Sequence, residues 1–252
     1  MKSLANFYLG SLLAAFILIH PSTARSQQAP GVVEILACNF INGSDAGDLQ
    51  GPMNAFNRWM DQHDQHNFNV STLAPLYTSD AFTYDVVFFN RWAGASEMGR
   101  SLGMLFGADG EEATAGFNDV VHCGSSAMFA AVLLKAPAED RDGGPMQFFN
   151  CTVKENRTVG EGINAINRWA EATGSSRAGH AVLLPLAGEN PDATYNFKWL
   201  VLHNSFEEYG DSLAGLFGPD APSLGDIIEP VMDCDSARIY NQVINRHLEA
   251  ND

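Results

Sequence analysis

A long apolar run is the first thing this 252-residue chain lacks. The longest stretch, from about Leu9 to Ile19, falls well short of the ~18–20 residues that cross a bilayer, so no membrane span is expected. Basic residues are scarce too, with 14 Lys and Arg against 30 Asp and Glu and a net charge of −16. That balance repels phosphate backbones and anionic lipid, which excludes nucleic acid as a partner and reads as a solvated acidic surface. The motifs of common catalytic centres are missing as well. There is no Gly-x-Ser-x-Gly elbow, no His-Glu-x-x-His, no Cys-x-x-Cys and no spaced calcium loop, so neither a nucleophile nor a metal is expected, and no cofactor.

What the chain does have begins with a leader. Residues 1–26 carry Lys2, the short apolar run, Pro21 and a small-residue end at Ala24-Arg25-Ser26, the order of an export signal. Its removal near Gln27 would leave twelve basic against thirty acidic residues, a net charge of −18, in a periplasmic or extracellular protein. Four cysteines in such a compartment predict two disulfides. With 46% hydrophobic residues there is ample material for a core.

An echo organises the rest. Asn54-Ala55-Phe56-Asn57-Arg58-Trp59 returns as Asn164-Ala165-Ile166-Asn167-Arg168-Trp169, and Leu105-Phe106-Gly107 returns as Leu216-Phe217-Gly218, in the same order as Cys123 and Cys234. The chain therefore divides into residues 27–135, a linker at 136–145 of Pro, Gly and charged composition, and residues 146–252. Each copy reads as βαββαβ. In the first, strands are expected at Val32–Phe40, Phe68–Tyr77, Thr83–Trp92 and Ala127–Lys135. A helix carrying Leu49, Met53, Phe56 and Met60 follows the first strand, and one carrying Met98, Leu102 and Leu105 follows the third; Gly107 to Gly116 reads as a loop. In the second copy, strands are expected at Met146–Val153, His180–Leu186, Tyr195–His203 and Ala237–Ile244, with Ser205-Phe206-Glu207-Glu208 as a capping box. The paired Asn-Arg beside each first-helix stripe suggests an interfacial job, such as an Arg reaching an acidic residue or a strand carbonyl.

The βαββαβ order is the split βαβ, or ferredoxin-like, motif, a four-stranded antiparallel sheet with both helices on one face. In it the first and fourth strands are neighbours, which predicts Cys38–Cys123 and Cys151–Cys234 bridges. Val86 and Phe88 on one face of the third strand, and Val87 and Phe89 on the other, require cover on both sides. Two sheets packed face to face about a pseudo-twofold axis, in a monomer, would supply it.

In element order the chain resembles the dimeric α+β-barrel superfamily, which includes antibiotic-biosynthesis-monooxygenase-type, EthD-type and stress-responsive barrel proteins. It is also similar to exported bacterial proteins of unassigned function built as two such repeats. The resemblance implies a small hydrophobic pocket between sheet and helices, with a Trp near the end of the third strand and an Asn before it. Asn90 and Trp92 match in type and place, with Phe88 beside them; the second copy has Val201 and His203 instead, with Trp199 and His180 near. These residues are the candidate site for a small apolar or aromatic ligand. The functional expectations are a binding or interaction protein, a cofactor-free monooxygenase-type enzyme using Asn90 and Trp92, or a structural envelope protein.

Overall fold

The computed structural model describes residues 30–107, 110–137, 141–173, 178–189, 192–218, 221 and 223–247. The leader at 1–26 lies outside them. The first half runs β1 (Gly31–Phe40), α1 (Gln50–Gln62), β2 (Phe68–Tyr77), β3 (Val86–Trp92), α2 (Ala95–Leu105), α3 (Gly110–Asn118) and β4 (Val121–Lys135). The second runs β5 (Gly143–Val153), α4 (Val159–Ala172), β6 (Gly179–Ala187), β7 (Phe197–Leu202), α5 (Phe206–Leu216), α6 (Leu224–Ile227), β8 (Met232–Cys234) and β9 (Arg238–Arg246).

Strand order β4-β1-β3-β2 in the first half recurs as β9-β5-β7-β6 in the second. The halves do not stack as two separate sheets. β4 hydrogen-bonds to β6 and β2 to β9, so eight strands close into a barrel and each edge strand of one half finds its partner in the other. Closure removes the unpaired edges that two stacked sheets would leave. The length of β4 permits it, because Val121 to Ala131 pair with β1 while Met128 to Lys135 pair with β6.

Both faces of β3 are buried, as its alternation requires. Val87 and Phe89 point into the barrel with Val33, Leu73, Phe129 and Phe148, whereas Val86, Phe88 and Trp92 point out to α1 and α3 with Met53, Phe56 and Met60. A third core lies outside the second half, where Ile166 and Trp169 of α4 cover Val182, Phe197 and Trp199. Disulfides join directly opposed residues, Cys38 to Cys123 across β1 and β4 and Cys151 to Cys234 across β5 and β8.

Several elements differ from the sequence reading, each for a physical reason. The expected loop at Gly107–Gly116 contains α3, whose glycines serve close approach. A Cβ at Gly110 would stand 2.0 Å from the Leu105 carbonyl oxygen, and one at Gly116 would touch Pro52 of α1 at 3.4 Å. The linker ends earlier than expected because Gly143 and Gly144, at φ +150° and +117°, already belong to β5; a Cβ at Gly143 would meet the Gln242 carbonyl at 2.2 Å. β3 starts at Val86, not Thr83, and Tyr84 leaves it to hydrogen-bond Tyr240. A short extra strand precedes the last one. Asp235 accepts from the Asn150 backbone N–H (2.7 Å) and from Arg238 (2.7 Å), which detaches β8 and its Cys234 from β9.

The Asn-Arg pairs act only in part as expected. Asn57 Nδ2 donates across the halves to the Asn245 carbonyl (2.9 Å), but Arg58 and Arg168 are exposed. The arginine that joins the halves is Arg246, which donates to Asp61 (2.6 Å) and to the Gln65 carbonyl (2.9 Å).

Candidate functional site

The cysteine pairs give the correspondence between the halves. Cys38 faces Val86 and Cys151 faces Phe197, so Phe88, Asn90 and Trp92 of β3 match Trp199, Val201 and His203 of the second half. In the first half Phe68 of β2 lies opposite Trp92, and their rings stack at 4.8 Å. In the second half the same register, continued one step beyond Gly179, sets Ala178 opposite His203. Two large rings are thus exchanged for a methyl and an imidazole.

The helices widen the difference. In the first half Phe117 of α3 fills the space over the sheet, meeting Phe56 at 6.1 Å and Phe88 at 5.7 Å. The buried Ser101 of α2 donates to Gln65 (2.8 Å) and holds that helix down. In the second half α6 has only four residues and α5 has none buried. Trp92 is 1% exposed within its core, Asn90 Nδ2 is bonded to Glu34 (3.0 Å), and neither they nor Phe88 line either of the two cavities described below. Trp92→Ala should therefore cost about 3–5 kcal/mol of stability as a pure core truncation. Urea unfolding followed by far-UV circular dichroism checks it, and a loss under about 1 kcal/mol would mean the ring is not packed as described.

The space opened in the second half is a cleft of about 1490 Å³ between the sheet and α4, α5 and α6. Trp199, His180 and His203 line it, with Phe149, Trp169 and Tyr209 as further aromatic walls. Phe149 stacks on Trp199 at 5.1 Å, and His180 stacks on the same indole at 6.0 Å.

Several buried polar atoms at this cleft have no partner: His180 Nε2, His203 Nδ1, Arg141 Nε, Glu208 Oε1 and both side-chain polar atoms of Asn204. Trp199 Nε1–H donates to His180 Nδ1 (3.3 Å), so the His180 proton sits on the open Nε2. His203 Nε2 pairs with Gln147 Oε1 (3.2 Å), which as a carbonyl accepts, leaving Nδ1 as a bare acceptor. Burial pushes His180 down to about 4, helped by Lys135 and His203; burial, and then Arg141, does the same to His203. Both rings are neutral at pH 7. Arg141 is itself lowered to about 10 by burial against the pull of Glu208, and it donates to Gln242 (2.7 Å) and the His203 carbonyl (2.8 Å). The expected capping box is half made. Ser205 Oγ accepts from the Glu208 N–H (3.1 Å), but Glu208 Oε2 reaches back to the Asn204 N–H (3.2 Å), which turns Oε1 toward His203. Arg141, Gln147, Asn204 and Glu208 were missed as site residues, and a capping glutamate or linker arginine carries no sequence signal that separates it from a surface one.

No family model matches the sequence, and no curated protein matches it. Solved structures match in shape. A candidate monooxygenase from Lactobacillus acidophilus NCFM has a TM-score of 0.53 at 9% identity over 86% of this chain and 94% of its own. A heme-binding protein from Thermus thermophilus has a TM-score of 0.52 at 6% identity over 86% and 92%. A mutant chlorite dismutase from Candidatus Nitrospira defluvii has 0.50 at 6% over 85% and 92%. The fold is the dimeric α+β barrel. At such identities the likeness is one of fold alone.

A second cavity, of about 480 Å³, opens at the barrel mouth beside Tyr84, Tyr240, Lys198 and Arg238. Its polar groups largely satisfy one another. Lys198 reaches Asn150 (3.1 Å) and Glu189 (3.3 Å), Arg238 reaches Asp235 and the Phe148 carbonyl, and Tyr84 bonds Tyr240. Among the described residues no three His, Cys, Asp or Glu side chains converge as a metal site, and no helix is long and apolar enough to cross a membrane.

Proposed function

We propose that this is an exported, monomeric small-molecule-binding protein, a duplicated barrel whose second half holds an apolar or aromatic ligand while the first half is a closed structural partner. The observation that carries the reading is the cleft itself. It is large and aromatic-walled, and buried polar atoms without partners line it, the usual make-up of a ligand site. Two disulfides suit an oxidising, extracytoplasmic compartment.

Heme is what the Thermus neighbour is named for, and the cleft has room for it. Its residues do not fit. Two heme propionates need cations, whereas the lining has seven carboxylates against one guanidinium, and Arg141 is already bonded to Gln242 and the His203 carbonyl. Conversion in place of binding is a second reading, carried by His203. Its neutral imidazole has an open Nδ1 that can take up a proton at the cleft, and with burial holding it near 4 it is a weak base there.

Nile red, a neutral apolar dye, should gain fluorescence on the intact protein, and Trp199→Leu should weaken that binding about tenfold. Phe88→Leu, the matching change in the closed half, should leave it alone. Equal binding by wild type and Trp199→Leu would place the dye elsewhere and remove the reading.

A further inference from the structure

The charge of the cleft is at odds with its apolar walls, and that conflict narrows the ligand. Seven lining side chains are carboxylates, among them Glu207, Glu208, Asp211 and Glu229, and a single guanidinium opposes them. Acidic residues alone would mean only a solvated rim. Deeper in, however, His203 is 2% exposed with Nδ1 unpartnered, and Glu208 Oε1 is unpartnered 3.9 Å away. Both are acceptors. Two buried acceptors facing each other across 3.9 Å are each short of a donor, and an unsatisfied buried acceptor is costly. One group that carries two N–H bonds and a positive charge would satisfy both, neutralise Glu208 and bring its apolar body against Trp199, Phe149 and Tyr209, where aromatic faces favour cations. A carboxylate ligand would meet repulsion from seven carboxylates, and of the open donors at the cleft, Arg141 Nε, His180 Nε2 and Asn204 Nδ2, a single one is charged.

Accordingly, and resting on the reading of the cleft as a small-molecule site, we propose that its ligand is an aromatic or apolar organic cation, a protonated amine that donates one N–H to His203 Nδ1 and another to Glu208 Oε1.

The test uses the intact, disulfide-bonded protein and three indoles that differ in charge: tryptamine, neutral 3-ethylindole and anionic 3-indolepropionate, titrated calorimetrically at pH 7 with Nile red as a separate probe. Tryptamine should bind about ten- to hundredfold tighter than 3-ethylindole, the range of a charge-assisted hydrogen bond, and 3-indolepropionate should not saturate. Glu208→Gln should erase the preference, while Glu155→Gln, outside the cleft, should keep it. If 3-ethylindole or 3-indolepropionate binds as well as tryptamine, or if Glu208→Gln leaves the preference intact, the cationic assignment falls. Nile red binding in a Trp199-dependent manner would then leave the small-molecule reading standing. If neither the dye nor any indole binds, both fall together.

Discussion

Reduction of both disulfides should lower the stability of the folded chain by about 9 kcal/mol, close to half from each bridge, in the chain-entropy account of loop closure. The bridges span 85 and 83 residues, and the loops do not overlap in sequence, so their contributions are independent. Against a total stability of about 5–15 kcal/mol for a typical domain, that loss brings the reduced protein to the edge of unfolding at 37 °C. Thermal melts with and without reductant measure the sum. Cys38→Ser with Cys123→Ser, and Cys151→Ser with Cys234→Ser, measure the halves separately. An unchanged melting temperature would show that neither bridge constrains the unfolded chain. A non-reducing peptide map joining Cys38 to Cys151 or Cys234 would contradict the placement of β1 beside β4 and of β5 beside β8.

The barrel was readable because its signals are local and repeated. Alternation in Val86 to Phe89 demands two buried faces, and the recurring Asn-Arg-Trp helices mark the two units, so order and cover follow from periodicity. Edge-to-edge closure was not readable, because whether β4 ends at β1 or runs on to β6 is decided by a strand far along the chain, Met128 pairing with Ala187 and Lys135 with His180. α3 was hidden by its own glycines, which punctuate like a loop but serve the contacts with Leu105 and Pro52.

The residues expected from the sequence separate between the halves: Trp199, His180 and His203 line the cleft, whereas Phe88, Asn90 and Trp92 do not. Asn90 and Trp92 carry the resemblance, yet Phe68 stacks on Trp92 and Phe117 packs over the same sheet in the first half. The informative residue was Ala178, whose small side chain stands where Phe68 does in the first half, and its meaning emerges only when strand registers are compared. Small-for-large exchange between the halves is therefore the better pointer to a pocket than an unusual polar residue. One half bears the packing while the other gives some of it up for a cavity.

Giving up that packing leaves His180 and His203 buried and neutral, and acid should expose the cost. Both rings are held near 4, from an ordinary 6.5, first by burial and then by positive charge: Lys135, and His203 once it is protonated, act on His180, and Arg141 acts on His203. Glu208 Oε1 faces His203 at 3.9 Å but does not offset that loss of hydration. An unfolded chain takes up these protons as soon as the pH drops below 6.5, while the folded chain resists until about 4. The unfolded state thus binds more protons throughout that window, so stability must fall as the pH falls. At about 1.4 kcal/mol per pH unit for each histidine, the loss between pH 6.5 and 5 is about 2 kcal/mol apiece, and by pH 4 about 3 kcal/mol apiece. The upper part of the window lies above the ordinary range of Asp and Glu, which separates the histidines from general acid unfolding. Urea midpoints at pH 7.5, 6.5, 5.5 and 5 should dip slightly between the first two and then decline steeply. In His180→Gln and His203→Gln the decline should be halved, and in the double variant it should vanish. A profile that is level from 7.5 to 5 in the wild-type protein would mean that neither ring is buried as a neutral group, and the open acceptor at His203 would lose its basis with it.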